Sequence, residues 1–303
     1  VTVSFGLGAL CAEWPRAVAC IGTFDGVHLG HRAVIAEGAR QAREAELPLV
    51  LATFDRHPAA TLAPGRRPKA LAPLEENLRE FAGLGVAVAV VLPFDAEMAA
   101  MRASAFLDDV LLAALRADRF VVGHDFAMGQ GREGTADWLA ARVATTVVPP
   151  FEIDGSRVSS SAIRRAVEAG DMGFAARLLG RPFALSGVIV GGQRLGRTLG
   201  YPTANLARTI DGVLPPDGVY AARFHAPQGV FSAALAIGTR PAVGGGPRSV
   251  EAYLLDYDGA SLYGAACRIE IVERLREERD FPSLDALVEQ MGRDVQEVRN
   301  VGI

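Results

Sequence analysis

Four short runs, AVACIG (17–22), LPLVLATF (47–54), VAVAVVLPF (86–94) and RFVVG (119–123), are apolar almost without interruption and rich in valine. A strand with one wet face alternates apolar and polar residues, whereas a strand buried on both faces does not, so these runs read as parallel strands. Helix-length segments at 31–45, at 75–84 after Pro73, and at about 97–117 separate them. TTVVPP (145–150) supplies a fifth strand, and SSSAIRRAVEAG (159–170) opens another helix with serines to cap it. This β-α alternation predicts an α/β fold with a doubly wound parallel sheet, whose ligand sits beyond the carboxyl ends of the strands.

The pattern changes after LLGRPFALSG (178–187). GVIVGG, GVYAARF, FSAALAIG, VEAYLLDY and CRIEIVERL are short strand-like runs separated by Gly, Pro and Asp, the signature of a small antiparallel β-barrel. PSLDALVEQMGRDVQEV (282–298) then reads as a helix capped by Ser283, with Leu284, Leu287, Val288, Met291 and Val295 along one face. Two domains are expected, 1–180 and 181–303, a division that suits a chain of 303 residues.

Bulk properties narrow the function. Half of the residues are apolar, 22% are charged and the net charge is −4, which argues against non-specific binding to nucleic acid. The three cysteines (Cys11, Cys20 and Cys267) have no paired spacing, so free thiols in a reducing cytoplasm are expected. No apolar run reaches the roughly 18 residues that span a bilayer, and the first residues do not resemble a signal peptide. Neither a nucleic-acid nor a membrane partner is expected.

The chemistry gathers in IGTFDGVHLGHRAV (21–34). A strand ends at Gly22, and a turn carrying Asp25, Gly26 and Gly30 lets backbone approach a ligand. The following helix presents unpaired N–H groups and the positive end of its dipole to the crevice, an arrangement suited to phosphate. His28 and His31 lie beside it. They can contact phosphate oxygens, ligate a metal if further ligands come from elsewhere, or merely cap the helix. GQGREG (129–134), with Asp154 further on, fits a dinucleotide fingerprint, but HDFAM separates it from its strand.

In the second half, GGQRLGRTLGYPTANL (191–206) lacks the Gly-Lys-Ser/Thr of a Walker loop. Its glycines and arginines can still wrap phosphates through backbone N–H groups. Thr203 and Asn205 fall on one side of an extended segment and offer neutral oxygens of the kind that suit Mg²⁺, though ordinary turn chemistry also fits.

GTFDGVHLGH resembles the HxGH signature of nucleotidylyltransferases, with His28-Leu29-Gly30-His31 filling the pattern. TFDRHP (53–58), VVGHDFAMGQGREG (121–134) and VSSSAIR (158–164) resemble the further motifs of bacterial FAD synthetases, and GRTLGYPTANL (196–206) the riboflavin kinase signature of the same bifunctional enzymes. The resemblance runs from about residue 16 to the C-terminus.

It implies phosphorylation of riboflavin to FMN and adenylylation of FMN to FAD, with ATP as co-substrate and Mg²⁺ as metal. Residues 1–180 would carry adenylyl transfer and 181–303 the kinase. His28, His31 and Arg164 would act on the ATP phosphates, with Gly22, Phe24, Gly26, Gly30, Asp125, Ser159, Ser160 and Ser161 binding substrate. His57 is a weaker candidate, because a residue before proline often serves its backbone. In the kinase half Glu251 would be catalytic, Gly196, Arg197, Pro202, Arg276 and Glu278 would bind substrate, and Thr203 and Asn205 would hold the metal. Leu195 stands where the family is usually basic, Ala242-Val243 replaces a Thr-Phe, and Met128 replaces an aromatic. A divergent relative with one working site, or with a modified flavin-like acceptor, is the alternative reading.

Overall fold

The computed structural model describes residues 1–10, 13–191, 201–208, 210–239 and 248–303. They form two compact units, residues 1–70 with 74–160, and residues 71–73 with 161–303. Cys11, Leu195, Gly196, Arg197, Ala242 and Val243 lie outside the described residues.

In the first unit the elements are β1 (Thr2–Phe5), β2 (Ala17–Ile21), α1 (Leu29–Ala45), β3 (Leu49–Phe54), α2 (Leu74–Gly83), β4 (Val88–Leu92), β5 (Ala117–Gly123) and β6 (Thr145–Val148). The strands make one six-stranded sheet in the order β1-β4-β3-β2-β5-β6, and every pairing is parallel. Both faces of the sheet are covered, as the unbroken apolar runs require. Val18, Cys20, Leu49 and Leu51 pack against Val34, Ile35 and Ala39 of α1 and Phe81 of α2. Ala17, Ala19, Ile21 and Val50 meet Phe106, Leu107, Val110 and Leu111 on the other side.

Two expectations change here. The N-terminal stretch, read only for its lack of a signal peptide, supplies the edge strand β1. The continuous helix expected at about 97–117 is broken into helical pieces at Ala96–Ala100 and Ala103–Ala105, followed by a wider π-type segment, Phe106–Ala114. The break at Met101–Arg102 is held by the segment that imitates a dinucleotide fingerprint. Gln130 N–H donates to the Met101 carbonyl (2.8 Å), and Glu133 accepts from Arg102 (2.6 Å) and from Ala103 N–H (2.9 Å). A Cβ at Gly129, where φ is +75°, would lie 2.5 Å from Ala103 N, so that glycine serves packing.

The second unit contains helices α3 (Ser160–Ala169, from its second residue) and α4 (Met172–Leu179), followed by the barrel strands. The strands are β7 (Phe183–Val190), β8 (Thr203–Arg208), β9 (Gly218–Ala226), β10 (Gly229–Gly238), β11 (Ser249–Leu254) and β12 (Ala266–Glu277). They close antiparallel in the order β7-β8-β11-β10-β9-β12. Closure removes the free edges that an open sheet would expose.

α5 (Leu284–Val301) follows, and Ser283 caps it as expected, accepting from Ala286 N–H at 3.2 Å. Its buried positions are Gln290, Asp294 and Val298, whereas Leu284, expected on the apolar face, is 58% exposed. An ion pair accounts for the difference. The guanidinium of Arg276 binds both carboxylate oxygens of Asp294, at 2.8 and 2.7 Å, and a paired carboxylate can be buried where a lone one cannot.

Candidate active sites

Chain order in the parallel sheet reverses between β2 and β5, which opens a crevice at their carboxyl ends. The turn leaving β2 is strained. Phe24, Gly26 and Val27 have φ of +47°, +77° and +40°. For a branched residue such as Val27 this conformation costs of order 1–3 kcal/mol and points to a functional constraint. Thr53 hydroxyl donates to the Thr23 carbonyl (3.2 Å), Val27 N–H to that of Phe24 (3.1 Å) and Ser160 hydroxyl to that of Asp25 (3.3 Å). Gly26 N–H donates to Asn77 Oδ1 at 3.1 Å.

At the start of α1, His28 Nδ1 accepts from His31 N–H at 3.2 Å, which makes the imidazole the helix N-cap and places its proton on Nε2. The two imidazoles stack at 3.5 Å between centroids, and the His31 ring stands edge-to-face on Phe24 at 5.3 Å. Burial, and then the neighbouring His28, hold the pKa of His31 well below its ordinary value, so His31 is neutral at physiological pH. Its buried Nδ1 has no hydrogen-bond partner among the described residues. Gly30 leaves room for the His28 ring, and Gly22 for that of Phe24.

Asp125 follows β5, the strand beside β2, and its carboxylate pairs with Arg157 at 2.7 Å. His57 Nδ1 accepts from Ala59 N–H at 3.1 Å, at the start of the short helix Ala59–Leu62. Ser159 immediately precedes α3, while Ser161 and Arg164 lie on α3 in the second unit. The first unit therefore brings together Gly22, Phe24, Gly26, His28, Gly30, His31 and Ser160. Asn77 and Arg157 also meet residues of this group or Asp125, yet neither lies in a motif that the sequence singled out.

On the barrel, the candidate residues lie on the outer face. In β11, Val250, Ala252 and Leu254 point into the core and Glu251 points out, as the period of two requires. Cross-strand register places Asn205, Glu251, Ala236, Val219 and Arg276 in one row around the wall. Glu251 accepts from the Thr203 hydroxyl at 3.3 Å through Oε2, and from the Ser249 hydroxyl at 3.0 Å through Oε1.

Glu278 accepts from Thr239 N–H at 3.4 Å, and a Cβ at Gly238 would lie 2.3 Å from its carboxylate oxygens. Since Gly238 pairs with Ser249, Glu278 reaches the strand ends next to Glu251. Arg276 is engaged by Asp294, and so forms a fixed wall of the row. Pro202 leads directly into β8. The period of two makes the facing of Thr203, Asn205 and Glu251 legible and puts Ser249 on the same face, but nothing in the sequence signals that Ser249 donates to Glu251.

Residues 11–162 match the family described as FAD synthetase, and residues 179–302 the family described as riboflavin kinase. A bifunctional riboflavin kinase/FMN adenylyltransferase of Bacillus subtilis is 35% identical over 293 residues, 94% of this chain and 92% of that protein. One from Escherichia coli K12 is 38% identical over 285 residues, 91% and 90% of the two chains. A solved structure from Streptococcus pneumoniae, described as a macrolide-efflux protein, superposes with a TM-score of 0.89 at 28% identity and 99% coverage of both chains. No helix among the described residues of the present chain is long and apolar enough to cross a membrane.

Proposed function

The chain belongs to the family of bifunctional riboflavin kinase/FMN adenylyltransferases, and from that premise we propose that it makes FAD from riboflavin by two ATP-dependent transfers. It is a transferase that phosphorylates riboflavin to FMN and adenylylates FMN to FAD. Residues 1–180 carry the second reaction and 181–303 the first, and the enzyme works in the cytoplasm. The observation that carries this reading is the joint presence of a histidine-capped helix start at the sheet's switch point and a Thr203–Asn205–Glu251 cluster on the barrel wall.

In adenylyl transfer the phosphate of FMN attacks the α-phosphorus of ATP and pyrophosphate departs, so no nucleophile from the protein is required. The protein positions the reactants and stabilises negative charge in flight. The start of α1 offers N–H groups and its dipole to the phosphates, and His28 Nε2–H is a donor held in place by the cap bond of Nδ1. His31, kept neutral, stacks behind it and fixes the ring. Ser159 adds a hydroxyl suited to a triphosphate, while Asp125 meets the nucleotide or flavin side; Ser161 and Arg164 are assigned to phosphate by their motif alone.

In the kinase reaction the primary hydroxyl of riboflavin attacks the γ-phosphorus, and Glu251 accepts or orients its proton. Thr203 and Asn205 fit Mg²⁺, because they carry neutral oxygens on one face, and the Thr203 hydroxyl retains its lone pairs when its proton is given to Glu251. Bound there, Mg²⁺ would neutralise phosphate charge. Glu278, Pro202, Gly196 and Arg197 contact substrate, and Arg276 shapes the flavin side.

Chromatography of products from riboflavin, ATP and Mg²⁺, and separately from FMN, tests the reading. FAD is expected from both incubations. His28→Ala should abolish FAD formation and spare FMN formation, and Glu251→Ala should do the reverse. Loss of both activities with either change would refute two separate sites.

A further inference from the structure

The strained turn at Phe24–Val27 keeps its shape only because its surroundings over-determine it. A large part of that constraint comes from one face of α2. Asn77, Glu80 and Phe81 stand at i, i+3 and i+4, the spacing that aligns side chains on a helix. Asn77 Oδ1 accepts the Gly26 N–H at 3.1 Å, across 51 residues of sequence. The Glu80 carboxylate pairs with Arg32 in the opening turns of α1. The Phe81 ring, wholly buried, stands edge-to-face on Phe24 at 5.7 Å. One helix face thus grips the turn at its middle, at its aromatic base and at the helix it leads into.

We propose that this face of α2 is the clamp of the adenylyl-transfer site, and that Asn77 is a positioning residue for the reaction. The proposal rests on reading the first unit as the FMN adenylyltransferase. Asn77 does not touch substrate. It fixes Gly26, and through Gly26 the height at which His28 and the start of α1 meet the phosphates. Asn77 is only 7% exposed, so removing its oxygen leaves the Gly26 N–H without that acceptor in a place that water reaches poorly. A turn in a disfavoured conformation then relaxes, carrying His28 with it. Displacement of reacting groups by about 1 Å costs on the order of 100-fold in rate.

The test uses the full chain with Asn77→Leu, which keeps the branched side-chain shape and loses the acceptor, and Asn77→Asp, which keeps the acceptor. For Asn77→Leu, kcat for FAD formation should fall about 10- to 100-fold with little change in KM for FMN. FAD pyrophosphorolysis should fall by the same factor, and FMN formation from riboflavin should be unchanged. Asn77→Asp should recover kcat, while its added negative charge raises KM for ATP. An Asn77→Leu enzyme within about twofold of wild type in kcat overturns the proposal. So does a loss that Asn77→Asp fails to rescue, since helix packing alone would then explain it. If Asn77→Leu does not fold, Glu80→Gln replaces it, and an unchanged kcat there overturns the clamp. Wild-type protein that makes no FAD from FMN overturns the functional reading itself, and the clamp with it.

Discussion

Substituting Gly30 by alanine separates the stability of α1 from its chemistry. Gly30 is the second residue of α1; alanine is favoured over glycine by up to about 1 kcal/mol in a helix interior and by less in the first turn, so on propensity alone the change is mildly stabilising. The added Cβ, however, lies 3.2 Å from His28 Cε1 and 3.3 Å from Nδ1, with Phe151 Cβ at 3.8 Å. Carbon atoms rest comfortably at roughly 3.5–4.0 Å, so the ring must withdraw by roughly 0.3–0.8 Å. It cannot slide freely, because the His31 ring covers its face at 3.5 Å and its Nδ1 is held by His31 N–H at 3.2 Å. The ring tilts, and the cap bond, worth about 1 kcal/mol, loosens and offsets the gain in propensity.

With about 100-fold lost per 1 Å of misplacement, half that displacement predicts about a tenfold fall in FAD formation, or about 1.4 kcal/mol in the barrier. The assay is product chromatography from FMN and ATP beside riboflavin and ATP, with thermal unfolding of the same samples. The expected result is a near-constant Tm, FMN formation intact and FAD formation down about tenfold. FAD formation within about twofold of wild type would refute the packing argument, and so would a parallel loss of both activities.

Acid should destabilise the protein through His31. Its native pKa lies well below the ordinary 6.5, so below about pH 6.5 the unfolded chain takes up a proton that the native one refuses. The contribution is fully present above 6.5 and fades at about 1.4 kcal/mol per pH unit toward the native value, and denaturant melts of His31→Asn should lack this slope. Asp294→Ala should cost about 3–5 kcal/mol in denaturant unfolding of the second unit, because it strands the Arg276 guanidinium, itself only 18% exposed. Burial pushes the thiols of Cys20 and Cys267 up to about 12, so peptide mapping should find both unlabelled by a thiol reagent at about pH 8 until denaturant is added.

What the sequence disclosed depended on whether the signal was local. Strand facing in the barrel follows from a period of two, so Glu251 opposite Val250 and Ala252 could be read directly. The cap at Ser283 and the glycines around His28 are likewise matters of neighbouring residues. Contacts across long stretches of chain left no local trace. Asn77 looks like any polar residue of a helix until Gly26 is seen against it. On α5 an apolar tally finds Val295 but misses Asp294, whose burial depends on its meeting Arg276. The break at Met101–Arg102 follows from Gln130 and Glu133, which arrive from a different part of the chain. The pairing of Asn205 with Glu251 required the register itself, which hydrophobic alternation alone does not specify.

The division of each barrel strand into an inward and an outward set has a consequence for how such a protein can change over generations. Along β11 the substitution record should look like a comb. At Val250, Ala252 and Leu254 a replacement is judged by volume, and neighbours can compensate for it. At Ser249 and Glu251, if the proposed kinase role of Glu251 holds, it is judged by reaction rate, and no change in the interior can restore what is lost. The core is free to drift while the chemistry stands still, provided no strand slips by one residue. A single slip would exchange the two sets, burying Glu251 and turning Val250 to water, so insertions within β8, β10 or β11 should be nearly absent among working descendants while the connecting loops absorb them.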